Sequence, residues 1–275
     1  MINLMQAGNF KVFDGMVLSA LSITKRCKSP IKLFVLTMDL TELKEVYKPI
    51  TDENINVLNA IYKEANIESE VIKLDLTDMY KREFENSPST ENFYTPYTFL
   101  RLFADQIPEI PDKILYLDTD VMAYGNIEEL YNIDISKYEV AMVKDYYGHI
   151  FLSPRYCNAG VILLNMKMLR KTKMLNKAMH LCATKKLFLN DQTAIHKMVT
   201  KKLIIDRKFN EQHKINKDTV IRHFAMSLKF FPYFRKQNIK PWNVEGLHNI
   251  LKCHEFDEEI EIWQQIVGKG NKNKI

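Results

Sequence analysis

Short apolar segments alternate with helical segments through the first 200 residues of this 275-residue chain, and this alternation restricts the possible folds most strongly. Residues 31–37 (IKLFVLT) and 114–117 (ILYL) are typical of buried strands, and residues 14–25 have the apolar spacing of a helix with Asp14 as its N-cap. Repeated units of this kind favour an α/β domain with a mainly parallel sheet, in which ligands bind beyond the carboxyl ends of the strands.

The remaining pattern divides the chain into two parts. Further strands are predicted at residues 2–5, 69–76, 139–143 and 159–165, and helices at 41–65 with a break at Pro49, at 95–107 and at 166–186. After about residue 200 the regularity fades, and residues 221–243 mix basic and aromatic side chains interrupted by Pro232 and Pro241. We therefore predict a core over residues 1–200 and a C-terminal flap or small subdomain over residues 201–275.

The cysteines and the lengths of the apolar runs indicate in which cellular compartment the protein is expected. The apolar fraction is 46% and the aromatic fraction 11%, both ordinary for a globular protein. No secretory leader is visible, and no apolar run nears the roughly 20 residues that a membrane span requires. Reduced thiols in a cytoplasmic protein are expected, because no CxxC pair or disulfide-like spacing links Cys27, Cys157, Cys182 and Cys253.

Positive charge is concentrated late in the chain. The net charge of +5 is too small to indicate nucleic acid, and no nucleic-acid partner is expected. Residues 201–240 nevertheless hold eleven Lys or Arg against three Asp or Glu, and the tail 268–275 adds three lysines. This region is either a solvated basic surface or a positive wall facing a phosphorylated ligand or an anionic membrane. Peripheral association with the inner face of the membrane is one expectation.

Two aspartates follow the apolar strand at residues 114–117. An extended chain turns Asp118 and Asp120 to the same side and Thr119 to the other. Paired carboxylates at an open strand end favour Mn²⁺ or Mg²⁺, since such ions take one or two carboxylates and leave other positions to phosphates and water. The alternative is that both aspartates cap the next turn.

Two enzyme classes use an Asp-x-Asp at a strand end. In haloacid-dehalogenase-like phosphatases the motif lies near the start of the chain and is followed by a second acidic pair, whereas here it falls at residue 118 with no such pair after it. Metal-dependent nucleotide-sugar glycosyltransferases hold the diphosphate through the metal and need no glycine-rich loop. This chain contains neither GxGxxG nor GxxxxGK, which favours the second class.

Four blocks, in this order, resemble glycosyltransferase family 8 over roughly residues 1–245. They are YTPYTFLRLFADQIPEIPDKILYLDTDVMAYGNIEELYNID (94–134), YCNAGVILLNMKMLR (156–170), LNDQTAIHKM (189–198) and the segment from IRHF to IKPW (221–242). The resemblance implies a GT-A fold with a mixed, mainly parallel sheet, a UDP-sugar donor, Mn²⁺ and retention of anomeric configuration. It also implies transfer of glucose or galactose to a cell-surface glycan or a lipid-linked acceptor.

The resemblance assigns roles to individual residues. Asp118 and Asp120 become metal ligands, and His223 becomes the third protein ligand, fastening the late segment over the donor. Further donor-binding residues are implied at three places. Arg101 lies before the Asp-x-Asp strand, and Ala7, Gly8 and Asn9 end the first strand beside the uridine. Asn158, Ala159 and Gly160 form a block of small residues that leaves room for the hexose, and Thr119 lies between the two aspartates.

The lysine that contacts the diphosphate is ambiguous. Members of the family commonly show His, five residues, and then Lys-Pro-Trp. Lys229 stands at that spacing from His223, but Lys-Pro-Trp itself comes later, at residues 240–242. Either an insertion splits the motif or two lysines share the task; spacing favours Lys229, and Lys240 is kept as the second candidate.

Retention requires either a nucleophile on the far face of the sugar or attack from the same face. The position that matches the family's catalytic block is Gln192, and an amide is a poor nucleophile, so same-face attack is favoured, with Gln192 steadying the developing cation. Asp191 either orients the acceptor hydroxyl or caps the helix that follows. The competing functions are a non-catalytic sugar-nucleotide-binding protein and a nucleotidyltransferase on the same fold.

Overall fold

A seven-stranded sheet flanked by helices forms the centre of the molecule. The computed structural model describes residues 1–85, 87, 95–229, 231 and 233–272, with side chains to residue 268 in the last helix. Pro232 and most side chains of the predicted basic tail therefore lie outside the described residues. The strands are β1 (Ile2–Ala7), β2 (Ile31–Thr37), β3 (Glu70–Asp75), β4 (Lys113–Leu117), β5 (Val121–Ala123), β6 (Val140–Lys144), β7 (Cys157–Asn165), β8 (Lys202–Ile204), β9 (Ile221–His223), β10 (Ser227–Lys229) and β11 (Arg235–Gln237).

Helices cover both faces of this sheet. They are α1 (Phe13–Arg26), α2 (Asp52–Ala65), α3 (Thr77–Phe84), α4 (Glu128–Tyr131), α5 (Gly148–Phe151), α6 (Met166–Thr172), α7 (Met174–Thr184), α8 (Asn190–Met198), α9 (Val244–Asn249) and α10 (Asp257–Lys272). Three further segments are 3₁₀ helices, at Phe10–Val12, Pro96–Gln106 and Arg207–Asn210. No described helix is long and apolar enough to cross a membrane.

Strand direction brings several chain segments to one edge of the sheet. The strand order is β3-β2-β1-β4-β7-β6-β8, and β7 runs antiparallel to both of its neighbours while the other pairs are parallel. The carboxyl ends of β1, β4 and β6 therefore meet the amino end of β7 at the same edge. The expected mixed, mainly parallel sheet flanked by helices is confirmed.

Alternate residues of the strands supply two separate apolar layers. Leu4 and Leu115 pack with α1 and α2 on one face, whereas Met5 and Tyr116 pack with the Pro96–Gln106 helix and α7 on the other. Each of these four side chains is at most 1% exposed. Full burial of one large apolar side chain contributes about 1.5–3 kcal/mol, so the two layers fix the strand register and with it the edge where the site lies.

Three predicted helices differ from those observed. The segment 41–65 is helical only from Asp52, where Thr51 and Asn54 form a capping box that starts α2. The predicted helix 166–186 is two helices, because Lys173 adopts a left-handed conformation (φ 54°) that ends α6 before α7 begins. The segment 95–107 forms a 3₁₀ helix rather than an α-helix.

The N-cap predicted for the first helix is also wrong. Helix α1 begins one residue earlier than Asp14, directly after the Phe10–Val12 3₁₀ turn, so Asp14 lies in its first turn. The Asp14 carboxylate instead accepts a hydrogen bond from the indole N–H of Trp263, at 3.0 Å. This bond joins α1 to α10.

The late part of the chain packs against the sheet domain. A third apolar cluster joins Leu18 of α1 and Met122 of β5 to Phe224, Leu247 and Phe256. Strand β8 extends the large sheet beside β6, and β9 pairs with β5. The division into residues 1–200 and 201–275 stays a prediction.

Candidate functional site

The two aspartates of the Asp-x-Asp segment lie directly after β4, at the edge that the strands share. Asp118 N–H donates to the carbonyl of Gly160 at 2.7 Å, and Phe224 N–H donates to the carbonyl of Asp120 at 2.9 Å. The backbone is therefore anchored on both sides, which fixes where the two carboxylates project. Among the described residues neither carboxylate accepts a backbone N–H of the following turn, so the turn-cap alternative is wrong.

His223 is the third member of this group. Strand β9 pairs antiparallel with β5, in a register that places His223 opposite Val121, the residue that follows Asp120. Its Nε2 lies 3.3 Å from Asp120 Oδ1 and 3.8 Å from Asp118 Oδ2. One ligand atom from each of the three side chains lies within 4.8 Å of the others. We call Asp118, Asp120 and His223 the buried cluster.

A chain of hydrogen bonds fixes the orientation of the His223 ring. The backbone N–H of Gly160, which can only donate, bonds Asn158 Oδ1 at 2.9 Å. Asn158 Oδ1 also accepts from Asn210 Nδ2 at 3.0 Å, so Asn210 presents Oδ1 to His223 Nδ1 at 3.1 Å. Nδ1 therefore donates to Asn210, and the ring directs Nε2 at the two carboxylates.

The absence of a side chain at residue 160 makes this approach possible. A Cβ added to Gly160 would lie 2.2 Å from His223 Cε1 and 2.8 Å from Asp118 Oδ2. The predicted role of Gly160 is to leave room for a hexose. In the structure, the lack of a side chain at residue 160 leaves room for the His223 ring.

Two carboxylates and one imidazole, with the imidazole anchored through its other nitrogen, form a donor set that suits Mn²⁺ or Mg²⁺. Burial alone would raise the pKa of Asp120, but the Lys240 ammonium and His223 outweigh burial and hold that pKa well below its usual range. Asp120 is therefore ionised throughout the physiological pH range. The residues present fit a divalent cation of this kind.

Arg101 lies behind Asp118, and its side chain is 7% exposed. The guanidinium contacts Asp118 Oδ1 at 3.0 Å and Asp191 Oδ2 at 3.2 Å, donates to the carbonyl of Ala159 at 2.6 Å, and stacks on Tyr116 at 4.2 Å from the ring centroid. Arg101 is therefore a buried residue that contacts two carboxylates. Arg101 positions Asp118; direct contact with a donor stays a prediction.

Asp191 lies in the first turn of α8, whose N-cap is Leu189, so the alternative that Asp191 caps this helix is wrong. Burial raises the pKa of Asp191 to about 6, with Asp118 adding to the effect and Arg101 opposing it. Asp191 is 7% exposed, and its Oδ2 lies 3.2 Å from Arg101 Nε.

Gln192 belongs to a second polar network at the same edge. Its Oε1 accepts from the backbone N–H of Ala159 at 3.0 Å and from Asn158 Nδ2 at 3.3 Å. Its Nε2 donates to Asp145 Oδ2 at 3.3 Å, and Asn158 donates to the same oxygen at 3.1 Å. Asn158 thus links Gln192 to the network that orients His223.

The two candidate lysines lie in different surroundings. Lys240 Nζ bonds Asp120 Oδ2 and donates to the Phe224 carbonyl at 3.1 Å. Trp242, two residues after Lys240, packs against α1 at Gly15. A Cβ on Gly15 would lie 2.5 Å from the indole and 2.3 Å from the carbonyl oxygen of Thr119. Lys229 lies instead on β10, in a cavity that the buried cluster does not line.

The end of the first strand lies at the same edge. Ala7 ends β1, Gly8 N–H donates to the carbonyl of Leu36 at 3.0 Å, and Asn9 Nδ2 donates to the carbonyl of Val46 at 3.3 Å. Thr119 faces this segment, since its methyl would lie 3.7 Å from a Cβ on Gly8. A role for these residues beside a uridine stays a prediction.

Two residues of the site were missed from the sequence. Asp145 directly follows β6, and the same reasoning that singled out Asp118 after β4 could have found it. Asn210 ends a 3₁₀ helix that carries no recognisable motif, and nothing in the sequence indicates its contact with His223.

The described residues contain a second group of three side chains that could hold a metal, between α9 and the start of α10. His248 Nε2 lies 2.7 Å from Asp257 Oδ1, and His254 Nδ1 lies 3.3 Å from Asp257 Oδ2. We call His248, His254 and Asp257 the surface cluster.

Comparison with protein families matches residues 7–246 to the family described as glycosyl transferase family 8. The chain belongs to this family. A lipopolysaccharide 1,3-galactosyltransferase of Salmonella typhimurium (strain LT2) is 27% identical over 183 residues, which are 59% of this chain and 54% of that protein. The lipopolysaccharide glucosyltransferase WaaO of Escherichia coli (strain K12) is 28% identical over 176 residues, 57% and 51% of the respective lengths. The chain spans about half the length of these curated relatives.

Solved structures agree on the fold. The crystal structure of the galactosyltransferase LgtC in complex with donor and acceptor sugar analogues superposes with a TM-score of 0.68, covering 96% of both chains at 16% identity. The expected GT-A fold and the resemblance to family 8 are confirmed.

Proposed function

We propose that the protein is a metal-dependent, retaining glycosyltransferase that moves glucose or galactose from a UDP-sugar to a cell-surface glycan or a lipid-linked acceptor. The observation that carries this proposal is the buried cluster, in which a fixed imidazole joins two carboxylates at the ligand-binding edge of the sheet. Membership of the family and the naming of relatives as galactosyl- and glucosyltransferases support the reaction class.

Asp118, Asp120 and His223 would hold Mn²⁺ or Mg²⁺. The bound ion supplies Lewis-acid stabilisation of the negative charge that develops on the departing diphosphate. Lys240 adds a positive charge at the same point, because its ammonium already contacts Asp120. Lys240 is therefore the better-placed lysine for the diphosphate, in contrast to the spacing argument for Lys229.

The donor would lie along the shared strand edge. The uridine is assigned to Ala7, Gly8 and Asn9 at the end of β1, and the sugar to the side of Asn158 and Ala159 at the start of β7. Arg101 acts through Asp118 rather than from the surface.

Gln192 is held with its amide oxygen on Ala159 N–H and its amide nitrogen on Asp145. An amide fixed in this way is suited to stabilise developing positive charge at the anomeric carbon and is a poor nucleophile, which supports same-face attack. The leaving phosphate would then take the proton of the acceptor hydroxyl. Asp191 stays the candidate for orienting that hydroxyl, through its contact with Arg101.

We assign the protein to the cytoplasm, where its four buried free thiols would remain reduced. Peripheral attachment to the inner face of the membrane through the basic C-terminal region is part of the same proposal.

The test is release of UDP from a panel of sugar nucleotides in the presence of Mn²⁺ and without acceptor. Release from one UDP-sugar that is lost with EDTA and in Asp120→Asn would support the proposal and identify the donor. Saturable binding of a UDP-sugar without turnover, with and without candidate acceptors, would indicate the non-catalytic alternative. Release of pyrophosphate from a nucleoside triphosphate would indicate a nucleotidyltransferase.

A further inference from the structure

A cavity of about 130 Å³ lies beneath the hairpin formed by β10 and β11. Ser227, Lys229 and Gln237 line it from the hairpin, and Arg222 and Phe224 line it from β9 and the residue that follows. On the same measure a cavity of roughly 10–15 Å³ holds one water molecule, so the space accommodates a tetrahedral oxyanion.

This cavity is distinct from the buried cluster. Neighbouring residues of a strand face opposite ways, and Arg222 and His223 are neighbours in β9. His223 faces Asp118 and Asp120, whereas the Arg222 guanidinium donates to the Glu211 carbonyl at 2.8 Å and lies over the Phe224 ring. None of the buried cluster lines the cavity, and neither does Lys240.

The cavity wall is lined by basic side chains and by no carboxylate. Its ionisable lining residues are His213, Lys214, Arg222 and Lys229, with no Asp or Glu among them. In the part of the chain that the structure describes, Lys214, Arg222 and Lys229 form no ion pair.

The nearest acid is already engaged elsewhere. Glu211 is 2% exposed, and its Oε1 contacts Arg207 at 2.6 Å and accepts the backbone N–H groups of His213 and Lys214. Burial lowers the pKa of His213, and the charges of Lys229, Arg207 and Arg222 lower it further against the opposing charge of Glu211. A positive field therefore extends across the cavity.

From this geometry we propose that the cavity binds a phosphate group. Lys229 and the Arg222 guanidinium provide the positive charge. The Gln237 amide nitrogen provides a neutral donor, while its oxygen accepts from the Ser227 hydroxyl at 3.4 Å. Charge-assisted bonds of this kind are about twice as strong as neutral ones, and a phosphate compensates the desolvation of the cations. The proposal goes beyond sugar transfer and does not depend on it.

Two sources could present such a phosphate: a soluble phosphorylated ligand or a phospholipid headgroup. Phe231 and Tyr233, at the tip of the same hairpin, are 88% and 64% exposed. Tyr147 Oη donates to the Leu228 carbonyl at 2.8 Å and so ties the hairpin to α5, whose Phe151 is also exposed. Exposed aromatic and basic side chains are typical of elements that enter the membrane interface.

The first experiment titrates the full-length, metal-free protein with inorganic phosphate by calorimetry, in EDTA. Lys229→Gln should weaken binding by about tenfold or more, because it removes a charged donor. Lys236→Gln is the matched control: Lys236 pairs with Leu228, and so faces away from Lys229 and Gln237 on the same hairpin. Lys240→Gln tests whether the phosphate lies at the buried cluster instead. Both control variants should bind phosphate as the wild type does.

Absence of phosphate binding by the wild type would overturn the proposal, and so would undiminished binding by Lys229→Gln. Loss in Lys240→Gln with binding retained in Lys229→Gln would assign the phosphate to the donor site and also overturn it. UDP release, measured on the same preparation of wild type with Mn²⁺ in place of EDTA, reports separately on the proposed transferase, so the two proposals can fail independently.

A second arm identifies the source by sedimentation with phosphatidylglycerol vesicles and with phosphatidylcholine vesicles. Binding to phosphatidylglycerol that is lost in Lys229→Gln and in Phe231→Ser/Tyr233→Ser would identify a lipid headgroup and support the cavity. Phosphate binding without vesicle binding would identify a soluble phosphorylated ligand and support the cavity equally.

Discussion

The buried cluster and the surface cluster both bring two kinds of metal ligand within reach of one ion, yet they differ in how the ligands are held. The buried cluster combines Asp118 and Asp120 after β4 with His223 from β9, more than a hundred residues later. The surface cluster comes from one short stretch around the start of α10 and is largely accessible to solvent.

The second difference is what orients each imidazole. His223 uses Nδ1 to bond Asn210 and leaves Nε2 for the carboxylates. In the surface cluster each histidine bonds a different oxygen of Asp257, and the two rings stack at 4.5 Å. Because a second layer of hydrogen bonds orients the ligands of a metal site, we expect the buried cluster, and not the surface cluster, to bind the ion.

The largest effect should come from removing a ligand of the buried cluster. Asp120→Asn keeps the size of the side chain but removes the charge, and we expect a loss of turnover on the order of 10³-fold, since a bound metal contributes several kcal/mol. Asp257→Asn makes the same chemical change in the surface cluster and should leave turnover unchanged. UDP release in the presence of Mn²⁺ measures both. Equal losses of turnover in the two variants would contradict the claim that only the buried cluster serves the reaction.

The next effect tests the space on which the buried cluster depends. Gly160→Ala places a methyl group against His223 and Asp118, so the imidazole must move, and a displacement of about 1 Å can cost roughly 10²-fold in rate. Gly268→Ala is the control, because a Cβ at this position in α10 meets nothing within 4 Å. It should leave turnover intact. Full activity in Gly160→Ala would show that the position of His223 is not critical.

Asp118, Asp120 and Gly160 illustrate which parts of the site can be predicted from the sequence. An apolar strand that ends in Asp-x-Asp predicts the two carboxylates and their edge of the sheet, because strand alternation and burial determine both. The selection of His223 needed the family resemblance, since no local pattern joins it to residues 118–120. The steric need for Gly160 appears only when β7 and β9 are brought together in space.

Long-range packing accounts for the other differences. Spacing favoured Lys229, but the hairpin of β10 and β11 carries it into a separate cavity, while Trp242 docks on α1 and brings Lys240 to Asp120. Lys240, and not Lys229, therefore contacts the buried cluster in this structure, and which lysine meets the diphosphate stays a prediction. The break at Lys173 likewise depends on a left-handed residue that helical periodicity does not predict.

A smaller effect concerns the second layer of the buried cluster. Asn210→Ala removes the acceptor of His223 Nδ1–H, and loss of such a partner typically reduces metal affinity by about 10–100-fold. Asn165→Ala removes another asparagine with two hydrogen bonds, at the opposite end of β7, and should cost stability without changing Mn²⁺ affinity. Titration with Mn²⁺ measures both. Unchanged affinity in Asn210→Ala would show that the second layer is dispensable.

The smallest effect contrasts Asp120 with Asp105, a half-buried acid that forms no salt bridge among the described residues. Burial raises the pKa of Asp105 to about 6, against the opposing effects of the Asn176 backbone N–H and Arg170. The folded protein thus binds this proton more tightly than the unfolded chain does. Its contribution to stability is complete below pH of about 4 and is lost as the pH rises through about 6.

Asp105→Asn should therefore be more stable relative to wild type at pH of about 7 than at pH of about 4, by on the order of 1–2 kcal/mol. Urea unfolding of both proteins across this range measures the difference. Parallel stability curves would contradict the assignment, and Mn²⁺ affinity should not change.

The most direct test of the central claim is the electron paramagnetic resonance spectrum of Mn²⁺ titrated into the protein with UDP present. The account predicts one tightly bound ion in the wild type and in Asp257→Asn, and loss of that ion in Asp120→Asn. Retention of the bound ion in Asp120→Asn, or its loss in Asp257→Asn, would contradict the assignment of the metal to Asp118, Asp120 and His223.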